Sequence, residues 1–484
     1  MVISIVGTRL NGYTVDAFIA KGDIAGLAKI CAVMIAIYLV SVFSTYGQNF
    51  LMVRVAQNTS ADIRRDLFAA LQKLPLRFFD THSSGDLMSR LTNDVDNINM
   101  TLSQSVVQLF SGVVSIVGML AAMLLLSPLL TLIGLVTTPL MFLTTKAIAK
   151  RSQKFFVAQQ NQLGQLDGYI EEMISGQKLV KIFSREPDVE EQFGRINDRL
   201  VSSATKAQAV SSVMGPLNNM INNLTYLILT VCGGVFIIRG IAGITVGVIF
   251  SFLLYMRNFT GPINNILNLF NTIQAALAGA ERVFEVMEDE TEETDTPGAK
   301  DVQGIGGNVE LEAVDFSYIP GKPVLKGVTI SAKQGQMIAI VGPTGAGKTT
   351  IINLLTRFYD IDGGGIRIDG QDIGSITRKS LRRSISVVLQ DTFLFSDTIR
   401  ENIRYGRLTA VDAEVEQAAK LSHAHDFIAQ LPHGYDTVLT DNGSNLSQGQ
   451  RQLLGIARAM LAQSSVLILD EATSSIDTRT EAIV

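Results

Sequence analysis

The sequence predicts an all-α polytopic membrane domain fused to an α/β domain. Three observations predict it. Apolar residues make up 47% of the 484 positions, and they cluster in the first half, in long stretches without charge. An acidic stretch with Pro and Gly, EDETEETDTPGAKD, then breaks the pattern. Beyond it, short apolar runs alternate with helical patterns, as they do in α/β folds.

The charge-free stretches set the spans. No Asp, Glu, Lys or Arg lies between Lys29 and Arg54, Asp96 and Lys146, Lys206 and Arg239, Arg239 and Arg257, or Arg257 and Glu281. A bilayer-spanning helix needs about 20 mostly apolar residues. The second stretch is long enough for two, with Ser127-Pro128 as a turn at its centre. Five spans follow, near Ala25–Leu51, Val106–Leu126, Leu129–Thr145, Ile221–Ile238 and Val246–Phe270. Helices buried in a soluble core are the alternative, which five such stretches in half a chain disfavour.

Charge sets the orientation. The connection after the first span carries Arg64, Arg65, Lys73, Arg77 and Arg90. The connection between the third and fourth spans carries Lys150, Arg151, Lys154, Lys178, Lys181 and Arg185. Positive connections stay in the cytoplasm, so both are expected there, with everything after the last span. Five spans then put Met1 outside. The stretch MVISIVGTRLNGYTVDAFIAKG has no signal-peptide form and reads as the outer end of another helix, so a sixth span is expected before it. Cys31 and Cys232 both fall inside predicted spans, and no disulfide or zinc spacing occurs. Nothing in composition or charge pattern points to a nucleic acid.

The expected division is a membrane domain over 1–290, a linker over 291–308 and an α/β domain over 309–484. In the last, VELEAVDFSY alternates like a half-buried strand. QMIAIVGPTGAGKTTIINLL reads as strand, Gly-rich loop and helix, and SISVVLQ and SVLILD as short strands. The loop Gly342-Pro343-Thr344-Gly345-Ala346-Gly347-Lys348-Thr349, followed by Thr350, fits G-x-x-x-x-G-K-[ST]. Its glycines let backbone N–H groups curl around phosphate oxygens. Lys348 brings charge to the β and γ phosphates, and the Thr349 hydroxyl can ligate Mg²⁺. Asp470 ends an apolar strand, where a carboxylate reaches the sheet's C-terminal edge and can hold Mg²⁺, directly or through water. Glu471 follows, placed to orient or deprotonate an attacking water. Leu446-Ser447-Gln448-Gly449-Gln450 has capping-box form and also offers a hydroxyl, a bare backbone and a helix dipole to an anion. Gln390 is a polar residue at the end of an apolar strand.

Together these residues resemble an ATP-binding cassette exporter, specifically a half-transporter with one membrane and one nucleotide-binding domain. LSQGQ is similar to the family signature LSGGQ. Phosphate loop, Gln390, signature, Asp470-Glu471 and Asp477 come in the family's order. RFFDTHSSGDLMSRLTNDVDNI and IEEMISGQKLVKIFSRE resemble the family's two cytoplasmic loops. The resemblance implies coupling helices near Asp80–Arg90 and Tyr169–Gly176 that dock on nucleotide-binding domains. It implies that Tyr318 stacks on adenine, although core packing is the plain alternative for such an aromatic. It implies that Gln390 senses Mg²⁺ and the γ-phosphate, that Asp477 belongs to the D-loop, and that ATP binds between one subunit's phosphate loop and the other's signature. The partner is a second half-transporter, in a homodimer or heterodimer. The implied function is ATP-driven export of a drug, lipid or peptide by alternating access across a bacterial plasma membrane. An importer on the same fold and an ATP-gated regulatory membrane protein are the alternatives.

Two departures stand out. Gln448 replaces the usual signature glycine. TDNGSN precedes the signature where many members carry Glu-Arg-Gly, a form similar to branches whose two subunits differ. The family's switch histidine is expected some thirty residues beyond Glu471, and the four histidines, His82, His423, His425 and His433, all lie upstream. The expectation is therefore of a subunit incomplete at both ends. Within the spans, Asn218, Asn219, Asn222, Asn223, Asn264, Asn268 and Asn271 read mostly as interhelical glue. Arg257 is the better candidate for a cavity.

Overall fold

The computed structural model describes residues 2–241, 243–292, 295–302 and 304–470. It divides into two compact units, one of Met1–Leu67 with Ser89–Glu285, the other of Phe68–Met88 with Val286–Val484.

Among the described residues, five helices are long and apolar enough to cross a bilayer. They are Ile24–Leu71, Ser84–Leu126, Pro128–Ser175, Glu186–Ile238 and the Val246–Ile263 part of Val246–Glu288. The first four each contain a span expected from the sequence, and the whole helix Val246–Glu288 contains the fifth, Val246–Phe270. A 48-residue helix such as Ile24–Leu71 is about 72 Å long, more than twice the hydrocarbon core. The basic connections are therefore largely continuations of the spans. No Gly or Pro interrupts the chain from Arg54 to Leu74, and the helix stops only just before Pro75.

Ser127 makes the expected turn. Its backbone is extended, Pro128 takes the first helical position, and its hydroxyl accepts from Leu130 N at 3.3 Å. The N-terminal segment is helical, Val2–Thr14 continuing as a π turn through Ile19. It packs on Val246–Glu288 at a glycine crossing, where a Cβ on Gly12 would sit 2.2 Å from the Gly247 carbonyl oxygen. Close approach of this kind lets helices associate without a hydrophobic driving force. The Tyr255 hydroxyl donates to Ile5 O at 2.8 Å, and Ser251 Oγ donates to Thr8 O at 3.2 Å. Asp16 accepts from Gly247 N at 2.8 Å, giving an orphan N–H of that helix start a partner and a favourable charge.

Met119, Met123, Leu130, Leu229, Phe252 and Tyr255 fill the helical core, whereas Phe43 and Phe110 are exposed, as lipid-facing side chains are. At the far end of the last helix Arg282 clamps Asp94 with two bonds, at 2.9 and 2.5 Å, and the Asp94 side chain is buried.

In the second unit β1 (Val309–Phe316), β2 (Leu325–Ala332), β3 (Gly363–Ile368) and β4 (Gln371–Asp372) form an antiparallel sheet in the order β2-β1-β3-β4. A parallel pair, β5 (Ile385–Val388) and β6 (Val466–Leu469), runs in register from Ile385↔Val466 to Val388↔Leu469. Leu311, Val314, Phe316, Leu354, Ile366 and Leu381 build the core beside the first sheet. A second core, with Ile399, Val415, Ile428 and Leu454, joins the helices around Gln448–Ala462.

One expectation needs correcting. The run Gln336–Val341 joins no ladder among the described residues, and Met337 is 93% exposed. Apolar composition gives a segment strand propensity, but a strand also needs a neighbour, and none of the described strands pairs with this run. The acidic stretch expected as a linker is anchored to the second unit. Glu292 pairs with Arg382 at 2.5 Å, Asp295 accepts from Arg378 N at 3.0 Å, and Lys300 bridges Ile376. Arg357 and Arg378 are both buried beside it. Their partners lie some 60–90 residues away, so composition alone could not reveal the anchoring.

Candidate nucleotide-binding site

The loop 342–349 leads into the helix Lys348–Leu355. Gly345 and Gly347 adopt φ of +86° and +88°, a left-handed backbone that L side chains rarely adopt. At Gly347 a Cβ would also meet Leu325 Cδ2 at 2.7 Å, so both conformation and space call for glycine. Lys348 is half-buried and folds back on its own loop, donating to Gly342 O at 2.7 Å and Pro343 O at 3.2 Å. Gly342, Pro343, Thr344, Gly345 and Ala346 are exposed. The ammonium is thus held beside the loop's own concave backbone, where anions are attracted.

The structure brings the two principal magnesium candidates together. The Thr349 hydroxyl donates to Asp470 Oδ2 at 3.4 Å. Asp470 N donates to Val388 O at 2.9 Å, extending the β5–β6 ladder by one bond. Asp470 therefore emerges at the C-terminal edge of the parallel pair, where α/β sheets bind ligands. Gln390 lies two residues past β5 at the same edge, exposed and in a bend, not on the strand itself. Thr349 and Asp470 offer hard oxygen atoms to a cation that prefers few protein ligands and several waters. Among the described residues no cluster of three His, Cys, Asp or Glu side chains occurs that could hold a metal.

Tyr318 is half-buried. Its hydroxyl hydrogen-bonds Thr350 Oγ1 at 3.2 Å and accepts from Asn353 Nδ2 at 3.1 Å. Edge contacts join its ring to Phe316 and Tyr359. Thr350 is buried on the phosphate-loop helix. The signature forms the expected reciprocal cap: Gln450 N donates to Ser447 Oγ at 3.2 Å, and Ser447 N donates to Gln450 Oε1 at 2.9 Å. Leu446 is buried, Ser447 and Gln448 are exposed, and Gly449 is half-buried. Among the described residues no hydrogen bond or ion pair joins this signature to the phosphate loop of the same chain. Glu471 and Asp477 lie outside the described residues.

Sequence reasoning missed Arg458 and Asn402. Arg458, on the signature helix, donates to Asn402 O at 2.9 Å and Phe393 O at 3.0 Å, and burial lowers its pKa. It ties that helix to the segment that follows Gln390. Its one sequence signal is a charge inside the otherwise apolar run LLGIARAML.

Comparison with known proteins agrees with this geometry. Residues 1–263 match the ABC transporter transmembrane region, and residues 325–474 match the ABC transporter family. The chain is 47% identical over 480 residues to an uncharacterized ABC transporter ATP-binding protein of Bacillus subtilis, covering 99% of this chain and 79% of that protein. It is 42% identical over 462 residues to a fatty acid ABC transporter ATP-binding/permease protein of Mycobacterium bovis, covering 96% and 73%. It is 38% identical over 451 residues to an ATP-dependent lipid A-core flippase of Syntrophus aciditrophicus, covering 93% and 74%. A bacterial Atm1-family ABC exporter, solved with ATP bound, superposes with a TM-score of 0.77 at 28% identity, covering 99% of this chain and 86% of that one.

The protein is therefore a membrane-embedded ATPase coupled to transport. The chain belongs to the ABC transporters and has the exporter fold, with membrane and nucleotide-binding parts in one polypeptide.

Proposed function

We propose that the chain exports a hydrophobic or amphipathic molecule by alternating access, as one half of a dimer that binds two ATP molecules at its interface. The membrane domain is assigned to 1–290, the linker to 291–308 and the nucleotide-binding domain to 309–484, on the cytoplasmic side. The observation that carries the reading is the meeting of Thr349 and Asp470 at the sheet edge, beside a phosphate loop, while the signature lies open. In this assignment loop 342–347 cradles phosphates by backbone N–H groups, and Lys348 leaves its carbonyl partners for phosphate oxygens. Thr349, Asp470 and Gln390 would hold Mg²⁺, whose charge would offset that developing on the transferred phosphoryl group. Glu471 positions the attacking water, Asp477 contacts the partner, and Tyr318 takes the adenine. The segments near Asp80–Arg90 and Tyr169–Gly176 dock on nucleotide-binding domains and transmit their closure.

A lipid-like substrate suits the membrane unit. A cavity of about 340 Å³ is lined by Thr138, Pro139, Phe142, Thr145, Thr260 and Ile263. Arg257 lies one helical turn before Thr260, exposed, and its guanidinium has no ion-pair partner among the described residues. An intramembrane arginine one helical turn from a residue that lines the cavity fits an amphiphile with an anionic head. Two of the similar proteins are named for a fatty acid and a lipid A core. The test is ATP-dependent movement of fluorescent fatty acids and lipids in vesicles bearing the reconstituted protein, with candidate partner subunits. Uphill movement out of the cytoplasmic side supports export. Movement in the opposite direction, or ATP turnover indifferent to every amphiphile tried, counts against it.

Dimer-site completion has its own test. Ser447→Ala is expected to reduce turnover in the dimer while the affinity of an isolated monomeric nucleotide-binding domain for ATP stays as in the wild type, because the signature serves the partner's site. The substitution also removes a helix cap, worth about 1 kcal/mol. Ser447→Asn keeps the cap and loses the hydroxyl, so turnover should fall there too. Loss of ATP affinity as severe as in Lys348→Ala would contradict the assignment.

A further inference from the structure

We infer that one uncovered face of the helix Pro128–Ser175 is a docking surface for anionic lipid of the cytoplasmic leaflet, with the lipid phosphate held by Lys146, Lys150, Arg151 and Lys154. The inference goes beyond the proposed transport and does not depend on the nucleotide-site reading. The face is set by the helix period. Leu132, Val136, Leu140 and Leu143 follow one another at three or four residues, and Lys146, Lys150 and Lys154 continue the same spacing without a break. Arg151 lies one helical turn from Lys154. At 3.6 residues per turn the buried residues of this helix, Leu130, Gly134, Met141 and Ser152, fall on the opposite side. The four apolar side chains and the four cations are all exposed. A single face thus changes from apolar to cationic between Leu143 and Lys146.

The change falls at the depth where acyl chains give way to phosphates. At 1.5 Å per residue Lys146 lies about 27 Å from Pro128 and Lys154 about 39 Å, against a hydrocarbon core about 30 Å thick with a headgroup layer beyond it. The other four long helices carry no Asp, Glu, Lys or Arg in the same window. Arg54, Asp96, Lys206 and Glu281 all come at about 45 Å or more from the outer ends of their helices. The charge at headgroup level is therefore gathered on this one helix.

Charge complementarity names the occupant. Among the described residues none of the four cations has an ion pair or a side-chain hydrogen bond. The first acid on the helix is Asp167, about 20 Å beyond Lys154, more than twice the Debye length at physiological ionic strength. Clusters of Lys and Arg at the cytoplasmic end of a span attract acidic lipid. Such a lipid supplies both halves of the face: a phosphate for the ammonium and guanidinium groups, and acyl chains for Leu140 and Leu143. A merely solvated face would need the cations alone, without the apolar residues in line above them.

The test is native mass spectrometry of the purified full chain in detergent, titrated with dioleoylphosphatidylglycerol or dioleoylphosphatidylcholine. The wild type should bind phosphatidylglycerol in preference. Lys150→Gln should weaken that binding about fivefold, and Lys150→Gln with Lys154→Gln about 25-fold, the ordinary worth of one and two cations at an anionic surface. Lys150→Arg with Lys154→Arg keeps the charge and should bind as the wild type does, which separates charge from misfolding. Lys178→Gln with Lys181→Gln removes the same charge from beyond the far end of the helix, about 70 Å from Pro128, and should leave binding unchanged. Glycerol 3-phosphate, a headgroup without chains, should not displace the lipid at equal concentration. Phosphatidylglycerol binding that survives in the Lys150 and Lys154 glutamine variant, falls equally in the Lys178 and Lys181 variant, or yields to glycerol 3-phosphate would overturn the inference. So would a shift from dimer to monomer in the glutamine variant with lipid binding unchanged, which would assign the face to a second copy of the chain.

Discussion

Phosphate release is expected to fall by roughly 10²–10⁴-fold in Glu471→Gln, the usual contribution of a general base, with ATP binding retained. The argument starts one residue earlier. β6 delivers Asp470 to the sheet edge, and its N–H fixes it against Val388 O at 2.9 Å. Its carboxylate there meets Thr349. The next position in the chain is Glu471, so a second carboxylate follows directly on a metal-binding candidate. A glutamine keeps the shape and loses the capacity to accept a proton. Lys348 and Thr349 are untouched by the change, so the nucleotide should bind as before. Single-turnover phosphate release and equilibrium nucleotide binding on the same protein separate the two effects. Release at the wild-type rate would remove Glu471 from the catalytic role.

What the sequence revealed depended on how local each feature is. The spans were legible because a charge-free run of bilayer length has few other uses, and the Ser127 turn because Pro and a capping hydroxyl act within one helical turn. The phosphate-loop helix and the reciprocal Ser447–Gln450 cap were legible for the same reason. Gln336–Val341 was misread because β structure is settled by the neighbouring strand, which the segment itself does not encode. Tyr318 was assigned to a ligand from its place in a motif. Its bonds to Thr350 and Asn353, and through Tyr359 to Asp80, depend on contacts that no local pattern displays.

The linker gives the second large expected effect. Arg357→Ala should destabilise the second unit by roughly 1–3 kcal/mol, the cost of leaving the buried Ile376 carbonyl unpaired, since the Ile373 carbonyl keeps the Ile376 N–H at 3.3 Å. The Arg357 side chain is 6% exposed. Its guanidinium donates to the Ile373 and Ile376 carbonyls at 3.3 and 3.1 Å, and pairs with Asp360 at 3.2 Å and Asp295 at 3.7 Å. The two acids are better hydrated, at 31% and 51% side-chain exposure for Asp295 and Asp360. Removing either acid alone should therefore cost no more than about 1 kcal/mol, because the guanidinium keeps the other acid and both carbonyls. Removing both should cost far more than the sum. Arg357 and Arg378 would then share the loss, since Asp295 and Asp360 pair with both. A buried charge without its counter-ion is strongly destabilising. Calorimetry of the four variants beside the wild type reads this directly, as the shift of the transition assigned to the nucleotide-binding part. A double acid variant that is merely additive, or an Arg357→Ala protein as stable as the wild type, would show that the acidic stretch rests on the domain without helping to hold it.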